Sequence, residues 1–501
     1  MLAPTTSSSG SVMSGATTST NAAFDAYVDK AVKDWKAPGL AIAVVKDGKL
    51  VFAKGYGVRE TGKPATVDTA TLFAIASTTK AMTAASLGML VDEGKLGWDD
   101  PVSKHLPAFQ LNDPYVTREL TVRDLLTHRA GLGNADFLWS VADFPADEIM
   151  KRMKFLKPTY SMRSSFVYQN LMYIVAGQVV TAVSGMPWSK FVQTRIFAPL
   201  GMATTYPTAT LVPASANAAV PHFRYGGDTV MAIRKDVAQA IGPAGDVWSN
   251  VADMSKWMMF LLDSGRINGK RLLKPETFAE LFNPQVMVPP DEFYPTARLT
   301  KPHWMTYGLG WFQHDYQGRM LDFHTGSLNG MVAIIGLVRG QRFGVYVLSN
   351  SDHVEIRHAL MYKAIDTYLG NPDRDWSTEL RSLYDGRRAQ ADSARLVSER
   401  RRIKGTKPSL LLSKYAGVYE DSLFGRISIA ERAGKLRFDG GPALRGNMEH
   451  WQYDTFRVPL DDRWEGSVDV SFTIGNGEPA ALNLGPYSLR RVAAATATTQ
   501  Q

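Results

Sequence analysis

The stretch Phe73-Ala-Ile-Ala-Ser77-Thr-Thr-Lys80-Ala-Met-Thr-Ala-Ala-Ser-Leu-Gly-Met-Leu-Val-Asp-Glu-Gly94 decides how the rest of the chain is read. From Thr78 to Glu93, Ala, Met and Leu recur at helical spacing and Gly94 supplies a stop, which predicts one helix. Ser77 then sits at its N-terminus, where free backbone N–H groups and the positive dipole end favour a developing anion. Lys80, one turn on, shares its face. A serine hydroxyl is a weak nucleophile until a base takes its proton, and a partly desolvated lysine amine is such a base. The same residues also read as a helix-capping serine followed by a solvated lysine. The pattern needs support from elsewhere.

Working outward, Ala23 to Lys36 carries Phe24, Tyr27, Val28, Ala31, Val32 and Trp35 at helical spacing and ends before Pro38-Gly39. Leu40–Val45 and Leu50–Ala53 predict a hairpin turning at Asp47-Gly48. Strands return only at Phe323, Met331–Arg339 and Phe343–Asn350, and a helix over Glu355–Leu369 follows. The span between, roughly 81–300, is helical and rich in loops. A helical insertion between two sheet-forming ends predicts an α/β (α+β) domain over residues 23–370, an antiparallel sheet joined to an all-α lobe with a cleft between them. Residues 371–408 are polar and charged and read as a linker, partly helical, whose basic run is a solvated face. Residues 409–492 change texture to short alternating strands: Gly417–Tyr419, Arg426–Ala430, Lys435–Phe438, Thr455–Val458 and Val468–Ile474. They predict a small antiparallel barrel or sandwich.

The composition excludes several function classes. At 501 residues the chain calls for two or three domains, and 45% hydrophobic with 21% charged residues describes a globular protein. No apolar run is long enough to span a bilayer, so no stable membrane insertion is expected. The net charge of +8 is spread out, and no nucleic-acid motif accompanies it. With no cysteine there is no disulfide, thiol nucleophile or thiolate metal site. His-Glu-x-x-His, Gly-x-Ser-x-Gly and a phosphate-binding glycine loop are all missing, which disfavours a zinc peptidase, an α/β-hydrolase and a nucleotide enzyme. Residues 1–22, rich in Ser, Thr, Ala and Gly, lack the basic and apolar regions of an export signal and read as a disordered tail. A periplasmic or secreted location fits these features.

Two further stretches bear on Ser77. Ser164-Ser-Phe-Val-Tyr168-Gln-Asn170 leads into the helical run Leu171–Val183. A tyrosine at the lip of such a helix, with an asparagine two places on, projects a phenol and a carboxamide towards one cleft. The phenol relays a proton, and the amide holds a carbonyl or an amine. Taken alone, the tripeptide also reads as an ordinary aromatic anchor. Phe323-His324-Thr325-Gly326-Ser327 precedes the strand at 331; as an edge strand it turns His324 and Gly326 one way and Thr325 the other. Gly326 then lets a substrate backbone approach, with the Ser327 N–H as an oxyanion donor. His128 and Arg129, in Thr121–Leu132, read as packing and turn-making residues, and the tryptophans as core or cleft wall.

Serine-x-x-lysine, tyrosine-x-asparagine and histidine-x-glycine each occur once, widely spaced and in that order. With Thr121–Leu132, they give residues 23–370 a resemblance to the penicillin-recognising serine hydrolases: class C β-lactamases, DD-peptidases, D-aminopeptidases and related esterases. The resemblance implies that Ser77 is the acylated nucleophile, that Lys80 and Tyr168 share its proton, and that Asn170 positions substrate. It implies that His324, Thr325 and Gly326 line the substrate strand, and that the N–H groups of Ser77 and Ser327 form the oxyanion hole. His324 stands where many β-lactamases carry lysine, which weakens recognition of a β-lactam carboxylate, since histidine is largely neutral at pH 7 unless its surroundings raise its pKa. Residues 409–492 resemble the lipocalin-like barrel appended to some members. The implied enzyme cleaves an amide or peptide bond, D-residue substrates included, with no metal or organic cofactor. A small molecule or short peptide is the implied substrate, and a homo-oligomer is admitted. An esterase with weak β-lactamase activity, a penicillin sensor that stays acylated, and an acyltransferase are the alternatives.

Overall fold

Asp47 and Gly48 both take positive φ, 51° and 73°, the backbone that a two-residue hairpin turn requires. They join strand β1 (Gly39–Lys46) to β2 (Lys49–Gly57), as the sequence predicts. The computed structural model describes residues 10–225, 229–234 and 239–492. They form two compact units, one within Met1–Asp100, Thr121–Thr127 and Ala176–Gly386, the other within Pro101–Leu120, His128–Val175 and Arg387–Gln501.

In the first unit the hairpin ends an eight-stranded antiparallel sheet. The other strands are β3 (Val286–Met287), β4 (Met305–Tyr307), β5 (Phe312–Tyr316), β6 (Arg319–Leu328), β7 (Met331–Val338) and β8 (Phe343–Ser349). Their order is β2-β1-β8-β7-β6-β5-β4-β3. Every residue of β7 and β8 is buried, which explains why Met331–Val338 reads as an unbroken apolar run rather than an alternating one. Residues 323–327, expected as a short edge strand, belong to the longer β6. Its first half pairs with β5 on one side, up to Phe312↔Phe323, and β7 pairs along Asp322–Leu328 on the other.

Helix α1 runs from Gly10 to Asp34. This corrects the reading of residues 1–22 as a disordered tail: residues 10–22 are helical, and residues 1–9 lie outside the described residues. Extending a formed helix costs far less than nucleating one, and Asn21 ties the extension down. Its amide donates to the Val51 carbonyl at 2.8 Å, and it accepts from the Tyr368 hydroxyl at 2.7 Å. The serine helix is corrected in detail, being a 3₁₀ turn over Ala76–Thr79 followed by helix α2 (Lys80–Asp92). Helix α3 (Leu171–Ser184) follows Asn170, and α4 (Ile356–Leu369) follows the sheet. The expected linker contains helix α5 (Trp376–Arg400), whose start is bound into the first unit. Trp376 is buried and donates to Asp366 at 2.7 Å, and Trp35 donates to the Ser377 hydroxyl at 3.0 Å.

In the second unit, residues 417–492 form a closed antiparallel barrel of eight strands. They are β9 (Gly417–Asp421), β10 (Gly425–Arg432), β11 (Lys435–Asp439), β12 (Arg445–Gln452), β13 (Thr455–Pro459), β14 (Ser467–Gly475), β15 (Glu478–Leu484) and β16 (Tyr487–Val492). Pairing of Tyr419 with Arg491 closes β9 onto β16 and leaves no free sheet edge. Alternation fills the interior: Ile427 and Ile429 from β10 meet Phe438, Phe456, Phe472 and Leu482.

Candidate active site

Ala76, a residue with a side chain, holds φ at 46° immediately before Ser77. Left-handed backbone at an ordinary residue persists only where its surroundings enforce it. Here strand β6 does so. A Cβ on Gly326 would lie 2.2 Å from the Ile75 carbonyl oxygen and 3.0 Å from the Ala76 Cβ. The glycine is therefore needed for the protein's own backbone to close on the serine turn. Gly310 serves similarly behind Lys80, where a Cβ would stand 3.1 Å from the Ala81 nitrogen.

The turn delivers Ser77 beside Lys80. The lysine side chain is fully buried, and its Nζ lies 3.0 Å from Ser77 Oγ and 3.1 Å from the Ala244 carbonyl. A charged amine donates to both; a neutral one directs its lone pair at the serine proton. Thr78 holds the turn from beneath, its hydroxyl donating to the Ile75 carbonyl at 2.8 Å and lying 2.5 Å from the Tyr346 hydroxyl. Ala244 has no motif around it that marks the role its carbonyl plays.

Along strand β6 the side chains alternate between its two faces. Gly326 faces the serine turn and His324 feels the charge of Lys80, while Thr325 and Ser327 face the other way. His324 Nδ1 lies 2.6 Å from the Thr325 carbonyl, which accepts only, so Nδ1 carries the proton. Its Nε2 then accepts from the Tyr307 hydroxyl at 3.0 Å. Burial, then the positive charge of Lys80, lowers its pKa to about 3, against the upward pull of the Thr325 carbonyl. The imidazole is neutral at physiological pH and is not a stand-in for a lysine cation.

On the opposite face Thr325 Oγ1 lies 2.6 Å from the Tyr294 hydroxyl. Ser327 Oγ accepts from Arg357 Nη1 at 2.9 Å, and the same nitrogen donates to the Gly326 carbonyl at 2.5 Å. Arg357, buried at the start of α4, is paired with the buried Glu355 at 3.0 Å, and Glu355 also lies 2.7 Å from His358 Nδ1. Burial alone would raise the Glu355 carboxyl; the Arg357 charge and the His358 hydrogen bond overturn it and hold the group far below the usual carboxylate range. A guanidinium thus braces Gly326-Ser327 from behind. Sequence reading missed it because a lone arginine on a helix carries no signature.

Tyr168 and Asn170 belong to the second unit and lie just before α3. His128, left-handed at φ 55°, packs its ring 4.4 Å from that of Tyr168 at a tilt of 36° and accepts from the Gln169 N–H at 3.3 Å, a packing and turn-making part. Asn170, 7% exposed, donates through Nδ2 to Asp136 at 2.9 Å. The first unit brings together Ser77, Lys80, His324, Gly326 and Ser327; the second brings together Tyr168, Asn170, His128 and Asp136.

A family model described as Beta-lactamase matches residues 24–368. A second, described as a domain of unknown function (DUF3471), matches residues 401–493. The unguisins hydrolase ungD of Aspergillus violaceofuscus (strain CBS 115571) is 30% identical over 451 residues, covering 82% of this chain and 77% of its own. The octameric penicillin-binding protein homologue from Pyrococcus abyssi superposes with a TM-score of 0.62 at 21% identity, over 93% of this chain and 99% of that one. A D-stereospecific amidohydrolase from Streptomyces sp. gives 0.56 at 23% identity, over 70% and 99%. At those identities the two structures speak for the fold.

Proposed function

For a chain that belongs to the beta-lactamase family, and is a serine hydrolase of it, we propose cleavage of an amide or peptide bond through an acyl-enzyme on Ser77. The observation that carries the reading is the buried Lys80 amine 3.0 Å from Ser77 Oγ, within reach for direct proton transfer. The unprotonated form of Lys80 takes the serine proton as Oγ bonds to the substrate carbonyl carbon. The N–H groups of Ser77 and Ser327 receive the oxyanion. As the carbon–nitrogen bond breaks, the proton passes through Tyr168 to the leaving amine. Water, activated by Tyr168, then cleaves the ester and restores the Ser77 hydroxyl. Asn170 holds the substrate.

The neutral His324 supports a substrate read by shape and hydrogen bonds rather than by a carboxylate, and so supports the amidase reading over a β-lactamase one. Turnover of D-alanine p-nitroanilide, lost in Ser77→Ala, tests the proposal. Turnover of p-nitrophenyl esters without the anilide would make the enzyme an esterase instead.

A further inference from the structure

We propose that Asp136 is the positioning residue for Asn170, and that the β-barrel holds Asp136 in place through Phe137. The meaning given to Asn170 rests on the proposed function; the physical linkage stands apart from it.

A carboxamide has two faces that differ only in which atom donates, so something must choose between them. A carboxylate accepts and never donates. Asp136 Oδ2 accepts from Asn170 Nδ2 at 2.9 Å and from Asn134 Nδ2 at 3.1 Å, which turns the Asn170 oxygen away from Asp136. Asn134 completes the loop: its Oδ1 accepts from the Asp136 N–H at 3.0 Å, and its Nδ2 also reaches the Tyr168 carbonyl at 3.4 Å. The two second-unit residues assigned to catalysis and binding are thus tied to a single carboxylate.

The residue after it meets the barrel. The Phe137 ring stacks on Phe424 at 5.2 Å and 9°, and lies 4.7 Å from the ring of Tyr487. The surrounding barrel is moulded to the same segment. A Cβ on Gly441 would stand 2.5 Å from the Val141 carbonyl oxygen, and one on Gly425 would stand 2.8 Å from the Phe144 ring. Arg152 Nη1 donates to the carbonyls of Ser422 and Leu423 at 2.9 and 3.1 Å. Two barrel turns therefore clamp residues 137–152, and the clamp begins one residue from the carboxylate that sets Asn170.

The test uses the full chain with two readouts, steady-state kinetics and hydrogen exchange read by mass spectrometry. Asp136→Leu should lower kcat/KM by roughly 10²-fold, the scale of an ångström's misplacement. Asp136→Asn, which keeps an acceptor facing Asn170, should stay near wild type. Phe424→Ala should speed exchange across 134–140 and 168–174 as well as in the barrel. Should that variant unfold the barrel, Phe137→Ala reads the same contact from the other side, and the double variant should be no worse than the poorer single. Exchange changes confined to the barrel, or Asp136→Asn as damaging as Asp136→Leu, would overturn the proposal. A wild-type protein that acylates nothing would remove the proposed function, while the exchange data would still decide the linkage.

Discussion

A Cβ added to Gly326 would stand 2.2 Å from the carbonyl oxygen of Ile75, so strand β6 and the turn bearing Ser77 meet backbone against backbone. The nucleophile's position is set by a contact that no side chain can enter. Gly326→Ala must push the turn or the strand aside. The expected outcome is a loss of kcat/KM of about 10²-fold and of roughly 1–3 kcal/mol of stability from overpacking. Kinetics and a urea midpoint on the same preparation check both. Unchanged kinetics would mean that the contact does not govern Ser77.

Arg357 braces Gly326 and Ser327 while paired with Glu355, and Arg357, Glu355 and Gly326 are buried. Arg357→Met leaves the Glu355 charge without its main partner, which should cost on the order of 3–5 kcal/mol and lower kcat more than it raises KM. The double variant Arg357→Met/Glu355→Gln should recover most of the stability, because no lone charge stays buried, yet not the kcat. Denaturation and kinetics of the three proteins separate these effects.

His324 and His314 are held below their ordinary pKa of 6.5, to about 3 and about 4, by burial above all. Between those values the unfolded chain binds more protons than the folded one, so stability from these groups is complete above pH 6.5 and falls as the pH drops towards 4 and 3. Replacing His324 by Gln should flatten the decline in unfolding free energy between pH 7 and pH 4.5. In the intact protein, its ring nitrogens should show the Nδ1–H form with no titration across the neutral range. An NMR titration of His324 near pH 6.5 would contradict its assigned surroundings.

Tyr168→Phe keeps the ring that packs against His128 and removes only the phenol oxygen. A group that relays protons should cost ~10²–10⁴-fold in kcat when lost, with the melting temperature little changed. A loss of less than threefold would take Tyr168 out of the relay.

What could be read from the sequence was what is local. Ser77 and Lys80 lie within one turn, so their spacing alone predicts their meeting, and alternation alone sends His324 and Thr325 to opposite faces. The Asp47-Gly48 turn has the composition that its left-handed backbone needs. What escaped depends on distant partners. Nothing near Ala244 says that its carbonyl will meet Lys80, nor does anything near Asp136 or Arg357 announce an asparagine or a glycine strand to be held. Nor does anything near Gly326 announce the turn it closes against, since Ile75 lies some 250 residues earlier in the chain. The barrel strands Arg445–Gln452, Glu478–Leu484 and Tyr487–Val492 are hard to read from the sequence for another reason. Gly446 and Pro479 interrupt the first two, the third carries two arginines, and only closure of the barrel makes their pairing worthwhile. Residues 10–22 are helical without helix-favouring composition, since Asn21 anchors them from its own contacts.

The most direct test of the central claim is intact-protein mass spectrometry over time, with D-alanine p-nitroanilide, a p-nitrophenyl ester and a chromogenic β-lactam in turn. The account predicts a transient adduct mapped to Ser77, absent from Ser77→Ala, with turnover of the anilide and slow or no turnover of the β-lactam. An adduct on another residue, or anilide turnover that survives in Ser77→Ala, would contradict it.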